Sequence, residues 1–349
     1  MAILHPAALA REEVRELVDQ GMQVFAQPAR PAARSGRLTV FRRILSHWSA
    51  DHRTLKHCLL RLKNPHVFIN QGGSFDILAE PHRLSFLQNP EVTYDLFFRS
   101  NQHQATMPKH RRERAANLFA RAHRCLLNSA WTKELTETQL LSRLSNAAIF
   151  PHYIRFSYDT PLPWPKTESN APIALASISR MDAHHKGLDV LLEALALLPP
   201  ERPSWRFDFY GDGPDRAYLE ELADWLGLGS KVRFMPHTND IHSIWRRHHL
   251  LVLTSRYEGL AVSMLEAMAC GRPVRRTPYG GFREWVIPGE TGFNCPAAEP
   301  TLIAQSLIAA MANRNKWSAM GLAAFNRVRD KLPRDPWSLY LTPFAAPQR

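Results

Sequence analysis

Two cations six residues apart, Arg180 and Lys186, stand in the run 179–187, between an apolar stretch and an amphipathic one. A planar guanidinium and a compact ammonium at that spacing can clamp a diphosphate across a loop. A solvated loop with Gly187 as a simple turn explains the same residues. Further on, Tyr210-Gly211-Asp212-Gly213-Pro214 follows a second apolar run directly. Gly211 and Gly213 let the backbone approach a ligand closely, and a tight turn accounts for them equally well.

The run 254–271 is the sharpest of these features. Glu258 sits in a turn, whereas Glu266 lies among Val, Met, Leu and Ala with no cation nearby in sequence. A carboxylate in so apolar a helix is expensive to bury without a partner, and the hydroxyls of a ligand are candidates; the alternative is an exposed helical glutamate. The helix start near Gly259 and Leu260 would also aim free N–H groups at an anion. A glycine pair, Gly280-Gly281, opens a further segment that ends at Glu284.

These residues need elements that hold them. Apolar runs at 173–178, 205–210, 232–235 and 250–253 alternate with helical patterns at 188–198, 215–226 and 241–247. Strand-helix alternation of this kind predicts a parallel sheet with helices on both faces and ligands at the carboxyl ends of the strands. The N-terminal half gives a weaker alternation. Helices are expected at 9–20, 40–62, 109–124 and from Ser129 as N-cap to 144, strands at 22–25, 66–70, 92–99 and 125–128, and loops at 28–35 and at Gln71-Gly72-Gly73.

A Pro-rich stretch, 156–170, reads as a linker. The resulting architecture is α/β, with two doubly wound domains facing across a cleft: residues 1–155, then 171–330, then a tail at 331–349 that is expected to pack back on the first domain.

The chain has 349 residues, 45% apolar, with a formal net charge of +12 and a pI near 9.9. No apolar run reaches the roughly eighteen residues of a membrane span, and no secretion signal opens the chain. Four scattered cysteines, Cys58, Cys125, Cys270 and Cys295, form neither a metal motif nor a disulfide framework, so reduced thiols in a cytoplasm are expected. The basic surplus suits a solvated surface, an anionic membrane surface or a phosphorylated substrate, and charge alone does not choose among them. Nucleic acid is not expected, because aromatic residues are not interleaved with the charge.

Taken in order, Ser179-Arg180 with Lys186-Gly187, Tyr210 to Pro214, Ser255 to Gly259 with Glu266-Ala267-Met268, Gly271-Arg272-Pro273, Gly280-Gly281 with Glu284, and Gly292-Phe293 resemble the C-terminal domain of the family four glycosyltransferases. The resemblance covers about 171–325. It implies the GT-B fold of two Rossmann-like domains, retention of anomeric configuration, and no metal or other cofactor. It further implies that Arg180 and Lys186 hold the diphosphate of a nucleotide-sugar donor, that Glu266 binds ribose hydroxyls, and that Glu258 lies beside the donor sugar. Gly211, Gly213, Gly259 and Leu260 complete the implied donor site. Arg180, Lys186 and Glu258 are the expected catalytic group.

Asn70, Gln71, Gly72 and Gly73 are candidates for the acceptor side, the acceptor being a glycan or a lipid-linked one at the inner membrane face. A binding subunit without activity and a nucleotide-sugar epimerase are the rival functions. Two departures from the family pattern stand out. The opening strand and glycine-rich loop are not recognisable, so the first domain is expected to lack its first unit. Arg275 and Arg276 also occupy a strand that is usually apolar.

Overall fold

The computed structural model describes residues 2–4, 24–26, 66–79, 87–101, 106–165, 171–199 and 204–335. The helices expected at 9–20 and 40–62, the loop at 28–35, the end of the linker and most of the tail lie outside them. The chain clusters into two compact units. The first comprises Met1–Phe98, Thr106–Leu126 and Glu137–Ala148, and the second Arg99–Ala105, Leu127–Thr136 and Ile149–Arg349.

The first three strands are β1 (Ala2–Leu4), β2 (Val24–Ala26) and β3 (His66–Gly73). β1 and β2 pair in parallel, with Ala2 opposite Val24. A strand at 2–4 was not among the sequence expectations. Three apolar residues are too few to show a period, and only their partner some twenty residues on makes them a strand.

β3 joins β4 (Thr93–Ser100), β5 (Arg124–Leu127) and β6 (Ala147–Ile149) in a four-stranded sheet of that order. Helix α1 (Lys109–Arg121) buries Ala115, Leu118 and Phe119 and leaves its basic face to solvent. The Tyr94 hydroxyl donates to the Leu118 carbonyl at 2.7 Å, and the Phe98 and Phe119 rings meet at 5.0 Å. The helix stops at Arg121, three residues short of expectation, because Ala122 turns extended (φ −59°, ψ 140°). Helix α2 (Ala130–Leu140) starts as expected, with the Thr132 N–H donating to the Ser129 hydroxyl at 3.1 Å.

The second unit is built on β7 (Ile173–Ile178), α3 (Ala183–Lys186), α4 (Leu188–Ala196), β8 (Trp205–Tyr210), α5 (Arg216–Trp225), β9 (Val232–Met235), α6 (Ile241–Trp245) and β10 (Leu250–Leu253). After these come α7 (Val262–Ala269), β11 (Val274–Arg276), β12 (Gly292–Asn294), α8 (Pro300–Ala312) and α9 (Trp317–Lys331). The six strands are all parallel, in the order β12-β11-β10-β7-β8-β9.

Period-two geometry sends neighbouring residues of one strand to opposite faces. Leu250 and Val252 pack with Leu191 and Leu195 of α4 and Leu307 of α8. Leu251 and Leu253 pack with Met264 and Met268 of α7 and Val328 of α9. With both faces covered, the strands carry continuous apolar runs. Each fully buried leucine contributes about 1.5–3 kcal/mol. A connection read from sequence as pure loop contains α3, a single turn capped by Asp182, whose side chain accepts from the His185 N–H.

Candidate functional site

Strand order reverses between β7 and β10: from β7 the chain winds out to β9, then returns to β10 on the other side. In an open α/β sheet such a point leaves a crevice at the carboxyl ends of the two strands, where ligands bind. The loops after β7 and β10 are the ones that carry Arg180, Lys186 and Glu258.

Local chemistry ties these two loops together. Gly187 ends α3 with φ at 62°, and a Cβ there would come within 2.2 Å of the Thr254 carbonyl, so only glycine fits. The Thr254 hydroxyl donates to the carbonyls of Lys186 and Gly187 at 3.1 and 2.8 Å. Arg256 forks onto Asp189 at 2.8 Å through both terminal nitrogens, and one of them also reaches the Ala183 carbonyl. The His185 ring stacks on Tyr257 with centroids 4.1 Å apart and planes 6° off parallel. Burial, and next the Lys186 charge, lower the His185 pKa. The outcome is that the Lys186 ammonium meets the Glu258 carboxylate at 2.5 Å, with the Ser255 hydroxyl 3.4 Å from the same oxygen.

Arg180 is exposed and donates to Asp182, a short pairing on its own loop. The glycines of the β8 turn serve that loop. A Cβ on Gly211 would lie 2.1 Å from the Ser179 carbonyl, and one on Gly213 would lie 2.3 Å from the Met181 carbonyl. Met181 N–H donates to the Asp212 carbonyl at 3.0 Å, and Asp215 N–H to the Met181 carbonyl at 3.1 Å. Backbone packing thus accounts for both glycines, and their consequence for the site is to set the height of the Arg180 loop.

Glu266, on α7, is half-buried, and its carboxylate makes no hydrogen bond or ion pair with the described residues. Burial pushes it up to about 6, and the charge of Arg155, far away in sequence, limits the rise. Leu260 is buried in the apolar cluster under β10 and α7. Gly259 lies so close to the Arg99 carbonyl that a Cβ would come within 1.9 Å of it. The acceptor-side candidates belong to the first unit. There β3 runs on through Gly73, so the loop expected at Gln71-Gly72-Gly73 is corrected to strand. Asn70 is exposed, and the Gly73 N–H donates to the Asp76 carboxylate at 2.6 Å.

Two residues near the site escaped the sequence reading. His152 feels the charges of both Arg99 and Glu258; burial, then Arg99, push it down to about 4, with Glu258 opposing. Arg155 faces Glu266 electrostatically. Both lie in irregular chain after β6, where no periodicity marks them. Arg275 and Arg276 are buried and meet no carboxylate among the described residues. Arg275 instead donates to the Ser306 hydroxyl and the Ile303 carbonyl, and Arg276 to the Thr277 carbonyl. β11 is second from the sheet edge rather than central.

Two α/β units, the second with this strand order and this switch-point crevice, define the GT-B class of fold. Sucrose-phosphate synthase of Thermosynechococcus elongatus superposes with a TM-score of 0.71 at 20% identity, over 93% of this chain and 84% of that one. HepE of Anabaena, solved in complex with UDP, superposes with a TM-score of 0.66 at 18% identity, over 99% and 92%. Residues 163–327 match the model of the family described as glycosyl transferases group 1.

A lipopolysaccharide core biosynthesis mannosyltransferase of Rhizobium meliloti is 32% identical over 177 residues, 46% of this chain and 50% of that protein. A Vi polysaccharide biosynthesis protein of Salmonella typhi is 34% identical over 115 residues, 33% of this chain and 20% of that protein. The chain thus spans half the length of the first of these relatives and a fifth of the second.

Proposed function

We propose that the chain is a retaining, metal-independent glycosyltransferase that moves a sugar from a nucleoside-diphosphate donor to a glycan or lipid-linked acceptor in surface polysaccharide synthesis. The observation that carries this reading is the meeting of Lys186 and Glu258 at the switch point of a group 1 glycosyl transferase segment. UDP in HepE and the polysaccharide-synthesis names of the relatives give it support.

In this reading Lys186 and Arg180 exchange their carboxylate partners for the donor diphosphate, and Glu266 accepts from the ribose hydroxyls. Glu258, released by Lys186, orients the donor sugar. The acceptor oxygen bonds to the anomeric carbon as the bond from that carbon to the phosphate oxygen breaks on the same face. The acceptor proton passes to the leaving phosphate, whose growing charge is met by the two cations and the α7 N-terminus.

Arg180, Lys186 and Glu258 form the catalytic group, and Glu266, Gly211, Gly213, Gly259 and Leu260 complete the donor site. Asn70 to Gly73 stand as acceptor-side candidates. The basic face of α1, with Lys109, Arg111, Arg112 and Arg114 against the lone acid Glu113, suits an anionic membrane at the cytoplasmic side. No helix among the described residues is long and apolar enough to cross a membrane.

Thermal stability against UDP-, GDP- and ADP-sugars, read beside the Glu266→Ala variant, tests the donor site. A ligand at a hundredfold excess over its Kd adds about 2.7 kcal/mol. One nucleotide is expected to raise the Tm and to lose that effect in the variant; silence with every nucleotide would remove the reading in favour of an inactive homologue. Sedimentation with anionic against neutral liposomes tests the membrane part, and equal recovery would refute it.

A further inference from the structure

The second unit contains a cavity of about 350 Å³ lined by Glu284, Trp285, Arg327 and Lys331, with Asn128, Ile149 and Pro151. None of Arg180, Lys186, Glu258 and Glu266 reaches it. Its acid is already engaged. The Glu284 carboxylate accepts from the Trp131 N–H at 3.1 Å and from the Ala130 N–H, at the first turn of α2.

Its cations have unspent donors. Arg327 directs Nε and Nη2 at the Glu284 carbonyl, at 3.1 and 2.5 Å, and its Nη1 has no hydrogen-bond partner among the described residues. Lys331 feels the Glu284 charge but makes no hydrogen bond or ion pair with the described residues. Ile149 is 44% exposed, and Trp285 and Pro151 extend the apolar wall beside it. A carboxylate already held by two N–H groups, two available cations and an apolar wall select an anion with a ring face. The volume falls at the low end of ligand pockets, about 300–1,000 Å³, and admits one or two sugar rings.

We propose that this cavity binds an anionic saccharide, its ring against Trp285 and Ile149 and its carboxylate or phosphate on Arg327 Nη1 and Lys331 Nζ. An acidic residue of the acceptor is the saccharide that the proposed function would bring there. The site is separate from the donor residues and can be tested without transfer.

Saturation-transfer NMR on the full chain compares glucuronate, glucose 6-phosphate, glucose and inorganic phosphate. Glucuronate, glucose 6-phosphate or both should bind, with glucose and inorganic phosphate at least tenfold weaker. Lys331→Gln, at an exposed residue, should cost the anionic sugars about tenfold and leave the nucleotide-induced Tm shift of the wild type unchanged. Arg327→Gln should act the same way, its Tm being read alongside because Arg327 also holds the Glu284 carbonyl. Equal binding of glucose and glucuronate, inorganic phosphate as good as the sugar phosphate, an unaffected Lys331→Gln variant, or no binding at all would each overturn the proposal. Because these probes carry no nucleotide, a failed donor site and a failed saccharide cavity give separate signatures.

Discussion

The turn that enters β11 and the strand itself treat buried guanidiniums in opposite ways. Arg272 is fully buried, yet its three nitrogens are saturated by the carbonyls of Trp245, His248, Cys270, Gly271, Leu162 and Pro163, and its guanidinium lies 5.2 Å from the Trp164 ring centre. Three residues on, Arg275 is equally buried, with a hydroxyl, one distant carbonyl and the Cys295 thiol, and its Nη1 has no hydrogen-bond partner among the described residues.

The first arginine staples the linker to the sheet; the second is a sealed charge that no ligand can reach. A buried charge therefore points to a binding site only where a partner is missing and the group is still open to solvent. Glu266 meets both conditions, being half-buried and without a hydrogen bond or ion pair among the described residues. Glu258 meets neither, being buried and paired with Lys186, and in the proposed function it is the donor phosphate that takes this lysine over.

The strongest way to break this contrast is at Glu258. Glu258→Gln keeps the shape and removes the charge, and kcat for transfer should fall about 10²–10³-fold, as for other groups aimed at developing charge. A fall below tenfold would return Glu258 to a structural partner of Lys186. Arg272→Met should come next in size. It strands six carbonyls and releases residues 162–164, for an expected loss of about 3 kcal/mol in urea denaturation. A loss under about 1 kcal/mol would mean that carbonyl saturation is not what holds Arg272.

Glu266 sharpens the contrast through pH. Burial raises its pKa to about 6, so the folded protein carries the carboxyl protonated below that value and ionised above it. An ionised carboxylate accepts from two hydroxyls, whereas the acid offers a weaker acceptor. Donor affinity should therefore be full above pH 7 and fall as pH drops through 6, by up to about tenfold per unit. Ionising the raised group also costs the ligand-free fold stability as pH climbs from about 4.5 to 6. Isothermal titration from pH 5 to 8 checks the binding arm, and the same slope in Glu266→Gln would assign the dependence to another group.

Much of this was legible in sequence where one physical cause dominated. β7, β8, β9 and β10 fall on the expected residues because strands buried on both faces have no choice but continuous apolar runs. Lys186 and Glu258 were singled out because a parallel sheet puts its ligands at strand ends, and the fold brings the two side chains together. β1 and α3 were not, one being three residues and the other four, below the length at which a period shows. His152 and Arg155 reach the site from irregular chain whose position only the tertiary fold fixes. The glycines of the β8 turn left two readings open, since close approach to a ligand and to the Ser179 carbonyl demand the same missing Cβ.

Arg275 gives the smallest expected effect and the most direct test of what sealing means. Burial lowers its pKa to about 10, so at neutral pH the guanidinium remains charged inside the sheet. Replacing a buried charge by an apolar side chain of similar length is often neutral or stabilising, because desolvation is no longer incurred. Methionine also bends to fill irregular space. Arg275→Met should therefore raise stability by about 1 kcal/mol, read as a higher urea midpoint at unchanged slope. The same change at Arg272 has the opposite sign although both residues are equally buried. If Arg275→Met instead costs 1 kcal/mol or more, the bonds to Ser306 and Ile303 outweigh desolvation, and the strand has adapted to its arginine as fully as the turn before it.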